Sequence, residues 1–190
     1  MMDGIVPTEL FPLRKEVENA NKMKLDALKT ELRSYESRDS GKANPERRTA
    51  ILDNVLAPQL LEIKVDAQVM LIKNVDGDLV NGSLGRVLGF YMVSEISGSG
   101  GQITPKSGNG FIRGVLLQDD GNSPVEKPVG SRECTERFPL VEFRTPLGKE
   151  VVLVARDEFK VEDHDGTVAA RRVQVSSASA HEFEFFGDPV

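Results

Sequence analysis

The stretch Leu60–Phe90, LLEIKVDAQVMLIKNVDGDLVNGSLGRVLGF, constrains the fold more than any other part of this chain. Apolar residues recur at alternate positions, Leu61, Ile63, Val65, Ala67, Val69 and Leu71, with Glu62, Lys64, Asp66 and Gln68 between them. That alternation marks a strand with one buried face. Around Met70, Leu71 and Ile72 the run becomes apolar on both faces, as where a strand passes into a core. Asp76-Gly77 and Asn81-Gly82 are turn signals, because Gly and Asn adopt positive φ cheaply. Gly85 then permits a close turn before a second strand, Arg86–Tyr91. The order strand, turn, strand predicts a β-rich unit built on a continuous strand from Leu61 to Ile72.

The flanks divide the chain into three regions. Residues 9–61 read as mainly helical. Leu10-Phe11-Pro12 resembles a strand end or turn, and Arg14–Leu32 places Val17, Ala20, Ala27, Leu28 and Leu32 near helical spacing. The polar run Arg33–Ser40 is a strand or a loop. Asn44-Pro45-Glu46 reads as a helix start, with Asn at the N-cap, Pro at the first helical position and Glu at the positive end of the dipole. Ile51, Leu52, Val55 and Leu56 supply its apolar stripe, and Pro58 ends or kinks it. Residues 62–175 read as β-rich, with further strands at Phe111–Gln118, Leu140–Arg144, Glu150–Val154, Phe159–Glu162 and Arg171–Val175. Pro146-Leu147-Gly148-Lys149 marks a hairpin turn. Residues 97–110 and 119–136 carry too few apolar side chains to anchor and read as exposed or disordered loops. Residues 176–190 read as a loosely held tail.

Charge and composition exclude more than they identify. The 190 residues carry a formal net charge of −6, so a whole-chain basic footprint for nucleic acid is absent. Acidic balance still leaves room for a local basic groove. A single cysteine, Cys134, excludes an internal disulfide. The start, MMDGIVPTELFP, lacks a basic region followed by an apolar core, and no apolar run approaches membrane-spanning length. An intracellular protein without a membrane partner is the expectation.

Motifs for chemistry are few. Gly100–Ser107, GGQITPKS, has the spacing of a phosphate loop, but Pro105 stands where the second glycine belongs. Proline removes a backbone N–H that would face phosphate, and Gly108-Asn109-Gly110 is a poor helix start. A loop is the better reading. His164, between Asp163 and Asp165, lacks a second ligand at metal-site spacing and reads as a turn. His181 has no partner in sequence. Cys134 and the pair Asp119-Asp120 read as loop residues, so no catalytic residues and no metal site are assigned. Cations along Arg14–Arg33 interleave with Glu16, Glu18, Asp26 and Glu31, as on an ordinary solvated helix. Lys73 and Asn74, beside a turn at the end of the main strand, sit on a rim suited to nucleic-acid backbone contact.

The segment Ile63–Val87 closely resembles one that follows the helical part of the second motor lobe in Pif-type DNA helicases, the petite-integration-frequency family. Glu9-Leu10-Phe11-Pro12 with Glu16-Val17 and Asn21 is similar to a strand and helix of that family. Ser34–Gly41, Phe138–Phe143 and Val173-Gln174 also follow its order. The resemblance runs with gaps from about Glu9 to Val175. It implies an α+β fold: a partial RecA-like lobe with an N-terminal strand and helices, carrying a small inserted β-barrel, rich in loops. It implies kinship with ATP-driven 5′–3′ DNA-unwinding enzymes of repair, recombination and telomere maintenance, located in nucleus or mitochondrion.

The departures bear on activity. The family's first lobe, with its Gly-Lys-Thr/Ser loop and magnesium-binding acids, has no counterpart here. After Val175 the chain reads SSASAHEFEFFGDPV where the family continues with an apolar helix and His-Lys-Ser-Gln-Gly. Asp66 replaces a usual Gly, a change that a left-handed turn tolerates. The expectation is a chain that by itself neither hydrolyses ATP nor unwinds DNA. ATP and magnesium belong to the intact family. The expected partners are single-stranded DNA, contacted through Arg14, Lys73, Asn74 and Asn81, and the first motor lobe where it is encoded with this segment. The competing reading is a stand-alone nucleic-acid- or protein-binding β-barrel module, or an inert product of a truncated gene.

Overall fold

A computed structural model describes residues 9–11, 14–75, 78–93, 111–113, 136–179 and 182–184. In chain order the elements are β1 (Glu9–Phe11), α1 (Arg14–Ala27), β2 (Leu32–Glu36), β3 (Arg38–Ser40), α2 (Pro45–Leu52), β4 (Leu60–Lys64), β5 (Gln68–Leu71) and β6 (Leu84–Tyr91). They continue with β7 (Phe111–Arg113), β8 (Phe138–Thr145), β9 (Gly148–Val154), β10 (Arg156–Glu162), β11 (Val168–Val175), β12 (Ser177–Ser179) and β13 (Glu182–Glu184). The mixture of helices and mainly antiparallel strands is α+β in class. Among the described residues no helix is long and apolar enough to cross a membrane.

The strand expected from Leu61 to Ile72 is two strands. It breaks at Asp66, whose φ is +67°. The left-handed turn anticipated for that aspartate is present, and it hands the chain from one sheet to another. Upstream of it β4 pairs antiparallel with β2, and downstream β5 pairs antiparallel with β6. The main sheet has the order β12-β5-β6-β8-β9-β7. It is open: among the described residues no pairing joins its outer strands, so a closed barrel is not seen. One face carries Val69, Leu71, Val87, Val141, Phe143 and Val152, all fully buried, and Leu140 and Leu153 are buried on the other. The hairpin β8–β9 turns at Pro146-Leu147, as the sequence predicts, with Thr145 opposite Gly148.

Three local expectations are corrected. The first helix stops at Ala27, and Leu32 instead opens β2, which resolves the polar run that follows into two short strands. The second helix begins as read, since the Asn44 side chain accepts a hydrogen bond from the Arg47 N–H at 2.8 Å. It ends at Leu52, before Pro58 is reached; Leu56 is exposed and Ala57 is buried in its place. The start of the supposed loose tail is a paired strand, for Ser177–Ser179 lies antiparallel to Val69–Leu71 at the edge of the main sheet.

A smaller sheet, β10-β11-β3, joins the helical region to the β-rich one. β11 pairs with β10 along its length and with β3 through Arg171↔Ser40, Arg172↔Asp39 and Val173↔Arg38. Gly41 then turns the chain into α2 with φ +138°. β1 and β13 form a separate parallel pair.

Candidate nucleic-acid interface

The turn that follows β5 is closed by its own side chains. The Asn81 N–H donates to Asn74 Oδ1 at 2.7 Å, and the Val80 N–H donates to Ser83 Oγ at 3.1 Å. Gly82, at φ +96°, donates its N–H to the Leu71 carbonyl at 2.8 Å. Short polar side chains that satisfy nearby backbone groups are what turn sequences of this type provide. Asn74 and Asn81 are thus brought together on one exposed rim.

Lys73 lies on the same rim but is committed elsewhere. Its ammonium lies 2.9 Å from the buried carboxylate of Asp157 and donates to the Glu158 carbonyl at 3.1 Å. It also sits 5.6 Å from the centre of the Phe159 ring. The cation anchors the turn to β10. Arg14 opens α1, a separate element. Three of the four residues singled out from sequence therefore share one turn, and the fourth does not.

A cleft of about 390 Å³ lies beside β2, lined by Glu31, Leu32, Arg33, Ser34, Tyr35, Glu136 and Arg137. Both of its carboxylates are paired, Glu31 with Arg33 at 2.6 Å and Glu136 with Arg156, outside the lining, at 2.7 Å, while Arg137 donates to the Phe90 carbonyl at 3.2 Å. The Tyr35 hydroxyl donates to the Arg137 carbonyl at 2.8 Å, and burial pushes its pKa well above the usual phenol value. That hydroxyl is buried and committed to a backbone carbonyl. Among the described residues no three His, Cys, Asp or Glu side chains are grouped to hold a metal ion. His164 lies in the expected turn, where Gly166 donates to the Asp163 carbonyl at 2.9 Å. Gly100–Ser107, Asp119-Asp120, Cys134 and His181 lie outside the described residues.

The polar residues that matter most to this architecture are on β11, and sequence reading passed over them. Arg172 is 3% exposed. Its Nε and Nη2 donate to the two Asp39 carboxylate oxygens at 2.9 and 2.8 Å, and Nη1 donates to the Leu52 and Ala57 carbonyls at 3.2 and 2.9 Å. Gln174 is fully buried and donates to the Tyr35 and Pro58 carbonyls at 2.8 and 3.0 Å. Arg156 grips Glu136 and donates to the Glu36 carbonyl at 2.8 Å. A signal existed: adjacent arginines in a strand point to opposite faces, so one of Arg171 and Arg172 had to face inward.

The Arg172 hydrogen bonds hold the Asp39 carboxyl below its ordinary pKa, helped by the Ser37 hydroxyl and opposed by burial. A carboxylate depressed in the folded state stabilises fully above its unfolded pKa, about 3.9, and that contribution is lost as pH falls through the folded value. Urea midpoints of the wild type are therefore expected to fall below about pH 4 more steeply than those of Asp39→Asn. Parallel pH profiles for the two proteins would remove Asp39 from the account.

Comparison with known proteins adds ancestry to this geometry. Residues 47–90 match a family model described as DNA helicase Pif1, 2B domain. The ATP-dependent DNA helicase PIF1 of Candida albicans is 34% identical over 90% of this chain and 24% of its own length. That of Emericella nidulans is 35% identical over 91% of this chain and 24% of its own. The crystal structure of Pif1 helicase from Candida albicans superposes with a TM-score of 0.72 at 33% identity, covering 97% of this chain and 37% of that one. The chain thus spans about a quarter of the length of these curated relatives.

Proposed function

Because the chain is related to the Pif1 ATP-dependent DNA helicases over a segment that includes their 2B domain, we propose that it is a non-catalytic part of such a motor, contributing contact with single-stranded DNA. Residues 9–61 would supply the helical part of a RecA-like lobe. Residues 62–175 would supply its β-rich part with an inserted open sheet, and residues 176–190 depart from the family pattern. The likeness of fold to the Candida albicans enzyme, over nearly the whole chain, carries this reading.

The contact proposed is the rim of Asn74 and Asn81, with Lys73 holding the turn to β10 and Arg14 contributing from α1. Side-chain amides and exposed backbone of this kind bind phosphate and sugar without reading sequence. ATP and magnesium would be held by other parts of an intact motor. The sequence contains no Gly-Lys-Ser/Thr, and in its nearest approach, Gly100–Ser107, Pro105 stands at the second glycine position. The first motor lobe is the proposed protein partner, and nucleus or mitochondrion the proposed location.

The test is phosphate release by the purified 190 residues, with and without single-stranded DNA. No DNA-stimulated hydrolysis above a mock-purified control is expected. Stimulated turnover would overturn the non-catalytic assignment.

A further inference from the structure

We propose that the outward face of the β10-β11-β3 sheet, carrying Arg38, Lys160 and Arg171, contacts the phosphate backbone of single-stranded nucleic acid. The inference rests on the nucleic-acid reading above and moves the principal contact to a different surface.

Register places these residues together. Glu158, Val173 and Arg38 are cross-strand partners, and so are Lys160, Arg171 and Ser40. Directly paired residues share a face of a sheet, and so do residues two apart along a strand. Two contacts agree: Glu158 lies 2.8 Å from the Lys160 ammonium and 2.6 Å from the Arg171 guanidinium. The other face of the same strands holds buried Arg172 and Asp157, so the two faces are chemically distinct.

The outward cations are accessible. Side-chain exposure is 71% for Arg38, 45% for Lys160 and 41% for Arg171. Their carboxylate neighbours are Glu158 and exposed Glu162 on the face itself and Glu136 at its edge, 3.7 Å from Arg38. Glu136 is already gripped by Arg156. Cations therefore exceed free carboxylates on this face, in a chain whose formal net charge is −6. The Ser40 hydroxyl adds a neutral donor beside Arg171. Cationic and without aromatic stacking platforms among its described residues, the face suits phosphate contact rather than base readout. Glu158 competes with phosphate for two of the three cations.

Binding of a fluorescent oligothymidylate across a range of salt concentrations tests the assignment. Each phosphate neutralised on a single strand contributes about 0.7 to the slope of log affinity against log salt. The triple variant Arg38→Gln, Lys160→Gln, Arg171→Gln is expected to bind more weakly, with the slope reduced by about 2. Glu158→Gln is expected to bind more tightly than wild type, an outcome that damage to the fold would not produce. Lys22→Gln with Lys149→Gln, on α1 and β9, is expected to keep the wild-type slope. A wild type that binds and a triple variant with unchanged affinity and slope would overturn this surface while leaving the nucleic-acid reading intact. A wild type that does not bind would overturn both. Equal displacement by polyglutamate would assign the face to an acidic protein and overturn the nucleic-acid partner.

Discussion

Replacing Arg172 with alanine is expected to lower the free energy of unfolding by about 2–4 kcal/mol, from the charge-assisted hydrogen bonds lost and a buried carbonyl left unpaired. The total stability of a domain this size is about 5–15 kcal/mol, so the loss is a large share of it. The guanidinium satisfies the Asp39 carboxylate and the carbonyls of Leu52 and Ala57 together. Alanine leaves the buried Ala57 carbonyl without its donor and strips the guanidinium from Asp39, which keeps the Ser37 hydroxyl and partial contact with water, while the Leu52 carbonyl keeps the Val55 N–H. Three segments lose a common anchor: β3, the end of α2 and the loop leading to β4. Urea unfolding followed by circular dichroism gives the loss directly. The double variant Arg172→Ala, Asp39→Ala should be less destabilised than the sum of the single ones, because it removes the carboxylate together with its guanidinium partner. Additive losses would mean that the pair is not coupled.

Gly41→Ala is the second large effect, at about 2–5 kcal/mol, combining backbone strain with overpacking. The residue sits at φ +138°, in a region that side chains rarely adopt. An added Cβ would lie 2.4 Å from the Ala169 carbonyl oxygen and 2.8 Å from the Ala170 Cα. Both are backbone atoms of β11, held in register with β3, and cannot swing aside. Gly82 is the internal control. Its φ is +96°, but nothing lies within 4 Å of an added Cβ, so Gly82→Ala should suffer strain alone. Equal losses for the two variants would show that conformation, and not the close approach to β11, makes Gly41 necessary.

These two sites mark where sequence reading stopped. Alternation picked out Leu61, Ile63, Val65, Ala67, Val69 and Leu71, all of which are buried except Val65, which is half-buried. It did not find the break at Asp66, for a physical reason. The turn keeps the same parity of inward-facing residues on both sides, so a one-dimensional pattern runs through it unchanged. Asn44-Pro45-Glu46 and Pro146–Gly148 were legible because caps and turns are decided by a few neighbouring residues. The pairing of β3 with β11 and of β12 with β5 depends on segments far apart in the chain, and no local preference encodes it.

The candidate contacts followed the same division. Asn74 and Asn81 belong to a local turn, and the structure brings them together. Lys73 looked available because its partner, Asp157, is remote in sequence. The cationic face of Arg38, Lys160 and Arg171 was invisible for a related reason. It is assembled from three strands, each of which reads alone as an ordinary mixture of charges.

The central claim is that this chain, related to part of the Pif1 helicases, contacts single-stranded nucleic acid without being an engine by itself. Fluorescence anisotropy of an oligothymidylate titrated with the chain at several salt concentrations tests it most directly. The account predicts saturable binding whose log affinity falls linearly as log salt rises, with the slope of a few phosphate contacts. Absence of binding at low salt, or an affinity indifferent to salt, would contradict it.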